Sequence, residues 1–296
     1  MGYRTRAYGI PGSLDDYHPD PQEPVERWFT MPNTGNSRAI AEIINDLCPV
    51  PPTAVVDPFC GAGSSSLAAR RLGVPFVGVE MDPVLACVST AKSLCGPADG
   101  QALLQRPETG ESLPLRCLRL LLRLQSTPGG GRLSDRMIAD DLLRAPRRVP
   151  GGAVVCGDCT APATWKGMAP LPDEGVVVFT SPPFFDDWAG PGVPPALRAE
   201  AAELAGGTAP EPPAPCPPAP ARDYGDLLVG ALRAVGAVLP SCTVIVEHEP
   251  GSGSPDRLRT VADRLTAETD AEILEILETR DFSPGGLFSL LVCRLR

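Results

Sequence analysis

The chain has 296 residues, 43% of them hydrophobic, and a formal net charge of −10. That length suits one sizeable α/β domain with an insertion, and the acidic balance has the wrong sign for a typical nucleic-acid binder. No run of about 18 apolar residues occurs, which argues against a membrane span, and the polar first thirty residues lack the apolar core of a secretory signal, so the protein is expected in the cytoplasm.

Residues 1–27 carry Pro11, Pro19, Pro21 and Pro24 and read as an irregular arm before a single domain over 28–296. From Asn36 to Leu47, apolar residues fall at Ala39, Ile40, Ile43, Ile44 and Leu47. This is helical spacing, capped by Asn36 or Ser37 and stopped by Pro49, Pro51 and Pro52. Ala54–Asp57 is a short apolar strand ending on a carboxylate, followed by a glycine turn and a helical stretch, Ser64–Leu72. Pro75–Glu80 is a second such strand, and Val84–Ser93 reads as a second helix. The alternation β-α-β-α predicts a parallel sheet covered on both faces.

The rhythm breaks over 97–152, which reads as a basic helical insertion: a leucine- and arginine-rich segment at Leu115–Leu124, a glycine run at 129–131, and a shorter helix near Ser134–Leu143. Strands resume at Ala153–Cys156 and Val176–Thr180. Residues 189–221 read as a Pro/Ala-rich loop with its core at Glu211–Pro220. A helix at Asp223–Val238, a strand at Thr243–Glu247 and a helix at Asp256–Thr266 follow. Two strands, Ala271–Arg280 and Leu287–Arg294, are joined through Ser283-Pro284-Gly285-Gly286 as a hairpin. The expected fold is α/β: a doubly wound, mostly parallel, seven-stranded Rossmann-like sheet with a C-terminal antiparallel hairpin and a helical insertion.

Ten cysteines at irregular spacing read as buried free thiols of a reducing compartment. Cys156 and Cys159 form the one Cys-x-x-Cys, without the second ligand pair a structural zinc site needs, so no metal is expected. Residues 101–150 hold nine arginines against five acids. Arg116, Arg119 and Arg123 repeat at helical spacing, and that face either tracks phosphates or is simply solvated.

Two motifs carry chemistry. In Asp57-Pro58-Phe59-Cys60-Gly61-Ala62-Gly63 a strand delivers Asp57 to the carboxyl edge of the sheet. Gly61 and Gly63 permit a tight turn and close approach of a ligand, and the next helix opens with free N–H groups. Glu80 ends the second strand about twenty residues on, where an acid can accept both hydroxyls of a ribose. Strand, glycine turn, helix and acid together indicate a nucleoside cofactor at the switch point of the sheet. The full Gly-x-Gly-x-x-Gly of a dinucleotide fingerprint is absent, since Ser66 stands third. The Asp-Pro-Phe-x-Gly-x-Gly form resembles motif I of the amino-methyltransferases instead. That resemblance implies S-adenosylmethionine as cofactor, with Asp57, Phe59, Gly61 and Gly63 at its methionine part, Glu80 at the ribose and Asp158 at the adenine amine.

The second motif, Thr180-Ser181-Pro182-Pro183-Phe184, follows the apolar strand Val176–Phe179. An exocyclic base amine is a poor nucleophile because its lone pair is delocalised into the ring. Ser181 Oγ and the Pro182 carbonyl can accept its N–H groups and localise the lone pair, the two prolines fix the backbone, and Phe184 can stack on the planar group. These residues resemble the DNA N4-cytosine and N6-adenine methyltransferases, over about 28–92 and 153–188, with Ser-Pro-Pro the form commoner among N4-cytosine enzymes. The resemblance implies methylation of a base amine, cytosine N4 ahead of adenine N6, with Ser181, Pro182, Pro183 and Phe184 as catalytic residues. The alternative acceptor is a small-molecule or peptide nitrogen in a biosynthetic pathway, favoured by the acidic charge and small insertion. Either partner set excludes a membrane.

Trp28 and Phe29 stand where that family closes over the methionine end of the cofactor, and otherwise staple the following helix. Asp186, Asp187 and Trp188 border the target pocket or form a plain polar loop. Glu247, His248 and Glu249 end a strand on the same edge of the sheet.

Overall fold

The computed structural model describes residues 3–9, 20–29, 34–105, 109–126, 133–166, 168, 170–182, 193–206, 224–239, 241–248, 256–279 and 289–295. Strand β1 (Thr5–Tyr8) is followed by a one-turn helix at Glu26–Trp28 and by α1 (Ser37–Leu47). Asn36 caps α1, its Oδ1 accepting from the N–H groups of Arg38 at 2.9 Å and Ala39 at 3.3 Å. The chain then runs β2 (Ala54–Asp57), α2 (Ser64–Leu72), β3 (Phe76–Glu80) and α3 (Pro83–Leu94). The insertion supplies α4 (Pro97–Leu103), α5 (Leu113–Gln125) and α6 (Asp135–Arg144), the last two capped by Ser112 and Ser134. After it come β4 (Ala153–Cys156), α7 (Pro162–Trp165), β5 (Val176–Thr180), α8 (Pro195–Leu204), α9 (Tyr224–Gly236), β6 (Cys242–His248), α10 (Asp256–Glu268), β7 (Glu272–Thr279) and β8 (Ser289–Leu295).

The sheet order is β1-β7-β8-β6-β5-β2-β3-β4. Only β8 runs against its neighbours, pairing antiparallel with β6 and β7 while every other pairing is parallel. The expected Rossmann-like doubly wound sheet with an antiparallel end is present, with eight strands rather than seven. The eighth is β1, inside the arm read as irregular. Its side chains are mostly exposed, so no apolar alternation announces it. Pairing with β7 and the Arg6–Glu275 ion pair hold it at the edge. The predicted turn at 283–286 lies outside the described residues.

Successive strand residues enter opposite layers, as the pleat requires. Val56, Val178, Val244 and Cys293 pack with α9 and α10, whereas Val55, Val177, Ile245 and Val292 pack with α1 and α2. Helix α3 is enclosed further: ten of its twelve residues are buried, because α5 and α8 lie over its outer side in a third cluster. Helix α8 falls within 189–221, where composition predicts only loop. Pro195 at its first turn and five alanines within 195–205 explain the helix. The Glu211–Pro220 tract lies outside the described residues. No helix among the described residues is long and apolar enough to cross a membrane.

Candidate functional site

Strands β2 and β5 are parallel neighbours at the point where the order reverses, going outward through β3 on one side and β6 on the other. In open α/β sheets that crevice, beyond the carboxyl ends of the strands, is where ligands bind. Both motifs begin there.

Asp57 ends β2 and is buried. Its Oδ1 accepts the Phe59 N–H at 2.9 Å and the Thr180 hydroxyl at 2.8 Å, and Oδ2 accepts the Ser65 hydroxyl. Burial pushes this carboxyl up to about 6, against those three donors, which favour the anion. Asp57 therefore joins β2, β5 and α2.

The chain then turns. Cys60 donates its N–H to Val79 O at 3.0 Å and accepts the Gly63 N–H at 2.8 Å, with Gly61 at φ 47° and Gly63 at φ 87°. A Cβ on Gly63 would stand 3.1 Å from the Ser66 and Ser89 hydroxyl oxygens and 3.2 Å from Ser89 Cα, so these neighbours would have to give by a few tenths of an ångström around a strained positive φ. No side chain caps α2, whose N-cap is Gly63, and its first-turn N–H groups open toward the crevice with the positive end of the helix dipole.

Glu80 ends β3. One carboxylate oxygen accepts the Gly61 N–H at 2.9 Å and the other the Asp82 N–H at 2.8 Å. The Met81 backbone also hydrogen-bonds this carboxylate, so three backbone donors fix it. Burial pushes the Glu80 carboxyl up to about 7, partly offset by these backbone donors. A carboxylate held in place by the backbone at a strand end can accept hydroxyl groups with the acceptor capacity it retains. Asp82 caps α3 through Oδ1 and pairs by Oδ2 with Arg198 of α8 at 2.8 Å.

At the end of β4, the Gly157 N–H reaches Glu80 O at 2.9 Å and draws that loop beside β3. The Asp158 Oδ1 accepts both the N–H and the hydroxyl of Thr160, at 2.8 and 2.7 Å. Phe59 is half-buried beside the cluster formed with α9. Ser181 is half-buried and Pro182 buried immediately after Thr180. Pro183, Phe184, Asp186, Asp187 and Trp188 lie outside the described residues, as does Glu249. Glu247 and His248 are buried at the end of β6, level with this edge through the Thr180–Val246 pairing.

Phe29 is half-buried against the cluster that also holds Ala62 of the glycine turn, and Lys92 Nζ donates to its carbonyl at 2.6 Å. Trp28 is no staple for α1. It is fully buried in the cluster formed by α3, α5 and α6, with Nε1 donating to Asp141 at 3.0 Å.

Of the arginine face proposed to track phosphates, Arg119 forks onto Glu111 and also donates to the carbonyls of Ala102, Leu103 and Gln105. Arg123 pairs with Glu200 of α8. Arg116 is exposed. Arg119 is thus engaged within the protein, whereas the Arg123 pair lies at the surface.

Sequence reading missed Thr180 and Ser65 as partners of Asp57, and Lys92 and Asp141 as anchors of the 26–29 turn. Lys92 had a signal: it is one of two lysines in the chain and interrupts an apolar helix.

No protein-family model matches this chain, and comparison with curated proteins finds no match. Among solved structures, a TehB-like S-adenosylmethionine-dependent methyltransferase from Corynebacterium glutamicum is 12% identical over 86% of each chain, with a TM-score of 0.40. Magnesium protoporphyrin IX methyltransferase from Synechocystis, with bound S-adenosylmethionine, is 10% identical over 88% of this chain and 78% of its own, TM-score 0.39. A putative class I methyltransferase from Listeria monocytogenes is 12% identical over 88% of this chain and 58% of its own, TM-score 0.43. All three are methyltransferases by description. At these scores and identities they carry no argument about what this chain does, and the fold stands on its own strand order.

Proposed function

We propose that the chain is an S-adenosylmethionine-dependent N-methyltransferase acting on a planar amine, with the exocyclic amine of a DNA base, cytosine N4 ahead of adenine N6, as acceptor. One observation carries the reading: the Glu80 carboxylate, fixed by backbone N–H groups, stands on a glycine turn with positive φ at the same carboxyl edge of the sheet from which Ser181 and Pro182 leave β5. Bound there, S-adenosylmethionine supplies an electrophilic methyl group. Glu80 holds the ribose hydroxyls, and the uncapped N–H groups of α2 face the carboxylate of the methionine part. Ser181 Oγ and the Pro182 carbonyl accept the N–H groups of the acceptor, which directs its lone pair out of the ring plane. The contribution of these residues would be to position the acceptor nitrogen toward the donor methyl group. The reading carries a cytoplasmic location with it.

A second reading, a small-molecule or peptide nitrogen as acceptor, is favoured by the seating of Arg119 on Glu111 and on helix carbonyls and by the net charge of −10. Labelled S-adenosylmethionine with unmethylated genomic DNA, followed by digestion to nucleosides, separates the two. Labelled N4-methylcytosine or N6-methyladenine is the expected product. A blank result in a chain that binds the cofactor by calorimetry moves the acceptor to the second reading, and a chain that does not bind the cofactor removes both.

A further inference from the structure

The parallel pairing of β2 with β5 ends at Val56 and Val178, whereas β5 stays paired with β6 as far as Thr180. The strand that carries the second motif therefore parts from the strand that carries the first where the site begins. Beyond that last pair a side-chain bond joins them: the Thr180 hydroxyl donates to Asp57 Oδ1 at 2.8 Å. Thr180 is fully buried and Asp57 is 5% exposed. A hydroxyl enclosed at the end of an apolar strand is costly unless it is bonded, and a hydrogen bond to a charged acceptor is among the stronger kinds.

Asp57 has two further partners, one on each side of the glycine turn. The same oxygen accepts the Phe59 N–H at 2.9 Å, before the turn, and the other oxygen accepts the Ser65 hydroxyl, at the start of α2. One buried carboxylate thus holds the entry and the exit of the turn together with the end of β5. Ser181 is joined covalently to Thr180 and is half-buried, so a shift of Thr180 carries Ser181 with it.

We propose that Thr180 is a positioning residue whose bond to Asp57 sets where Ser181 and Pro182 leave β5 relative to the glycine turn, and so couples the acceptor half of the site to the cofactor half. The inference rests on the reading of the site given above. A ligand that fixes the turn also fixes Asp57, and Asp57 fixes the first residues of the acceptor loop, through contacts that are continuous from one motif to the other.

Two substitutions separate the hydroxyl from the shape of the side chain. Thr180→Val keeps the branched shape and loses the donor, whereas Thr180→Ser keeps the donor and loses the methyl group. Affinity for S-adenosylhomocysteine is measured by calorimetry on the full chain, and backbone hydrogen exchange over 181–188 is followed with and without that ligand. In the wild type and in Thr180→Ser the ligand is expected to slow exchange over 181–188 by about tenfold or more, the scale of one hydrogen bond to a charged group. In Thr180→Val the affinity should stay within about threefold of wild type while the slowing is lost. Should Thr180→Val not fold, Thr180→Ala, which also lacks the donor, takes its place. The inference alone is overturned by a wild type that binds the ligand without slowed exchange, by a Thr180→Val that keeps the slowing or loses the ligand, or by a Thr180→Ser that behaves like Thr180→Val. A wild-type chain that does not bind S-adenosylhomocysteine overturns the cofactor reading and this inference together.

Discussion

Glu80 shows how one residue couples local geometry to pH. Its carboxyl is pushed up to about 7 by burial, and the ionised form accepts hydroxyl groups better than the neutral acid. Cofactor affinity is therefore expected to fall as pH drops through about 7, and Glu80→Gln to bind weakly with no such pH step. Calorimetric titrations with S-adenosylhomocysteine on either side of neutrality check this, and a pH-independent wild type would exclude Glu80 as the ribose ligand. Ser181 is a different case. On the proposed reading it accepts from the substrate and not from the cofactor, so Ser181→Ala is expected to abolish methyl transfer while leaving S-adenosylhomocysteine binding intact. Asp57 lies between these two. It was legible as the end of a strand, but its engagement by Ser65, Phe59 and Thr180 was not, because two of those partners lie 8 and 123 positions away in sequence.

At the scale of elements, the strand–turn–helix unit 54–72 was read correctly from apolar runs and glycines alone, since the determinants are local. Its tolerance is set by packing. Gly63→Ala places a β-carbon at φ 87° and 3.2 Å from the Ser89 backbone, and is expected to cost about 1–2 kcal/mol or more in urea unfolding. The arginines of α5 give a second contrast. Arg119→Ala removes the fork on Glu111 and three carbonyl contacts, and should destabilise by about 2–3 kcal/mol. Arg116→Ala, on the exposed side, should fall within about 0.5 kcal/mol of wild type. Equal effects from both would mean that α5 is not seated as described. Spacing had grouped these two residues on one face. It could not show that α4 and Glu111 enclose one of them.

For the whole molecule, three buried ionisable groups bias stability in opposite directions. Asp57 and Glu80 are raised from ordinary values of 3.8 and 4.5 to about 6 and 7, so the folded state holds their protons more tightly, and the stability they contribute is lost as pH rises through those values. Lys92 is lowered from 10.5 to about 7. The stability it contributes is present above its ordinary value and is lost as pH falls through about 7. Unfolding of the cofactor-free chain by urea is therefore expected to show falling stability between about pH 5 and 7 and recovery toward about pH 9, with the recovery missing in Lys92→Met. A steady rise across that range in the wild type would contradict the burial of the two carboxyls.

The sequence by itself determined the parallel sheet, the placing of both motifs at strand ends, the Asn36 cap of α1 and the antiparallel finish. Those follow from apolar periodicity, glycine and proline, which act over a few residues. Only the tertiary structure decided that an exposed strand near the start of the chain adds to the sheet, that an alanine-rich tract is a helix docked on α3, and that the insertion closes over α3 and grips the 25–29 turn through Asp141 and Gln125. Those outcomes depend on edge pairing, burial and charge contacts between residues far apart in sequence, and no local pattern encodes which distant partner will meet a given side chain.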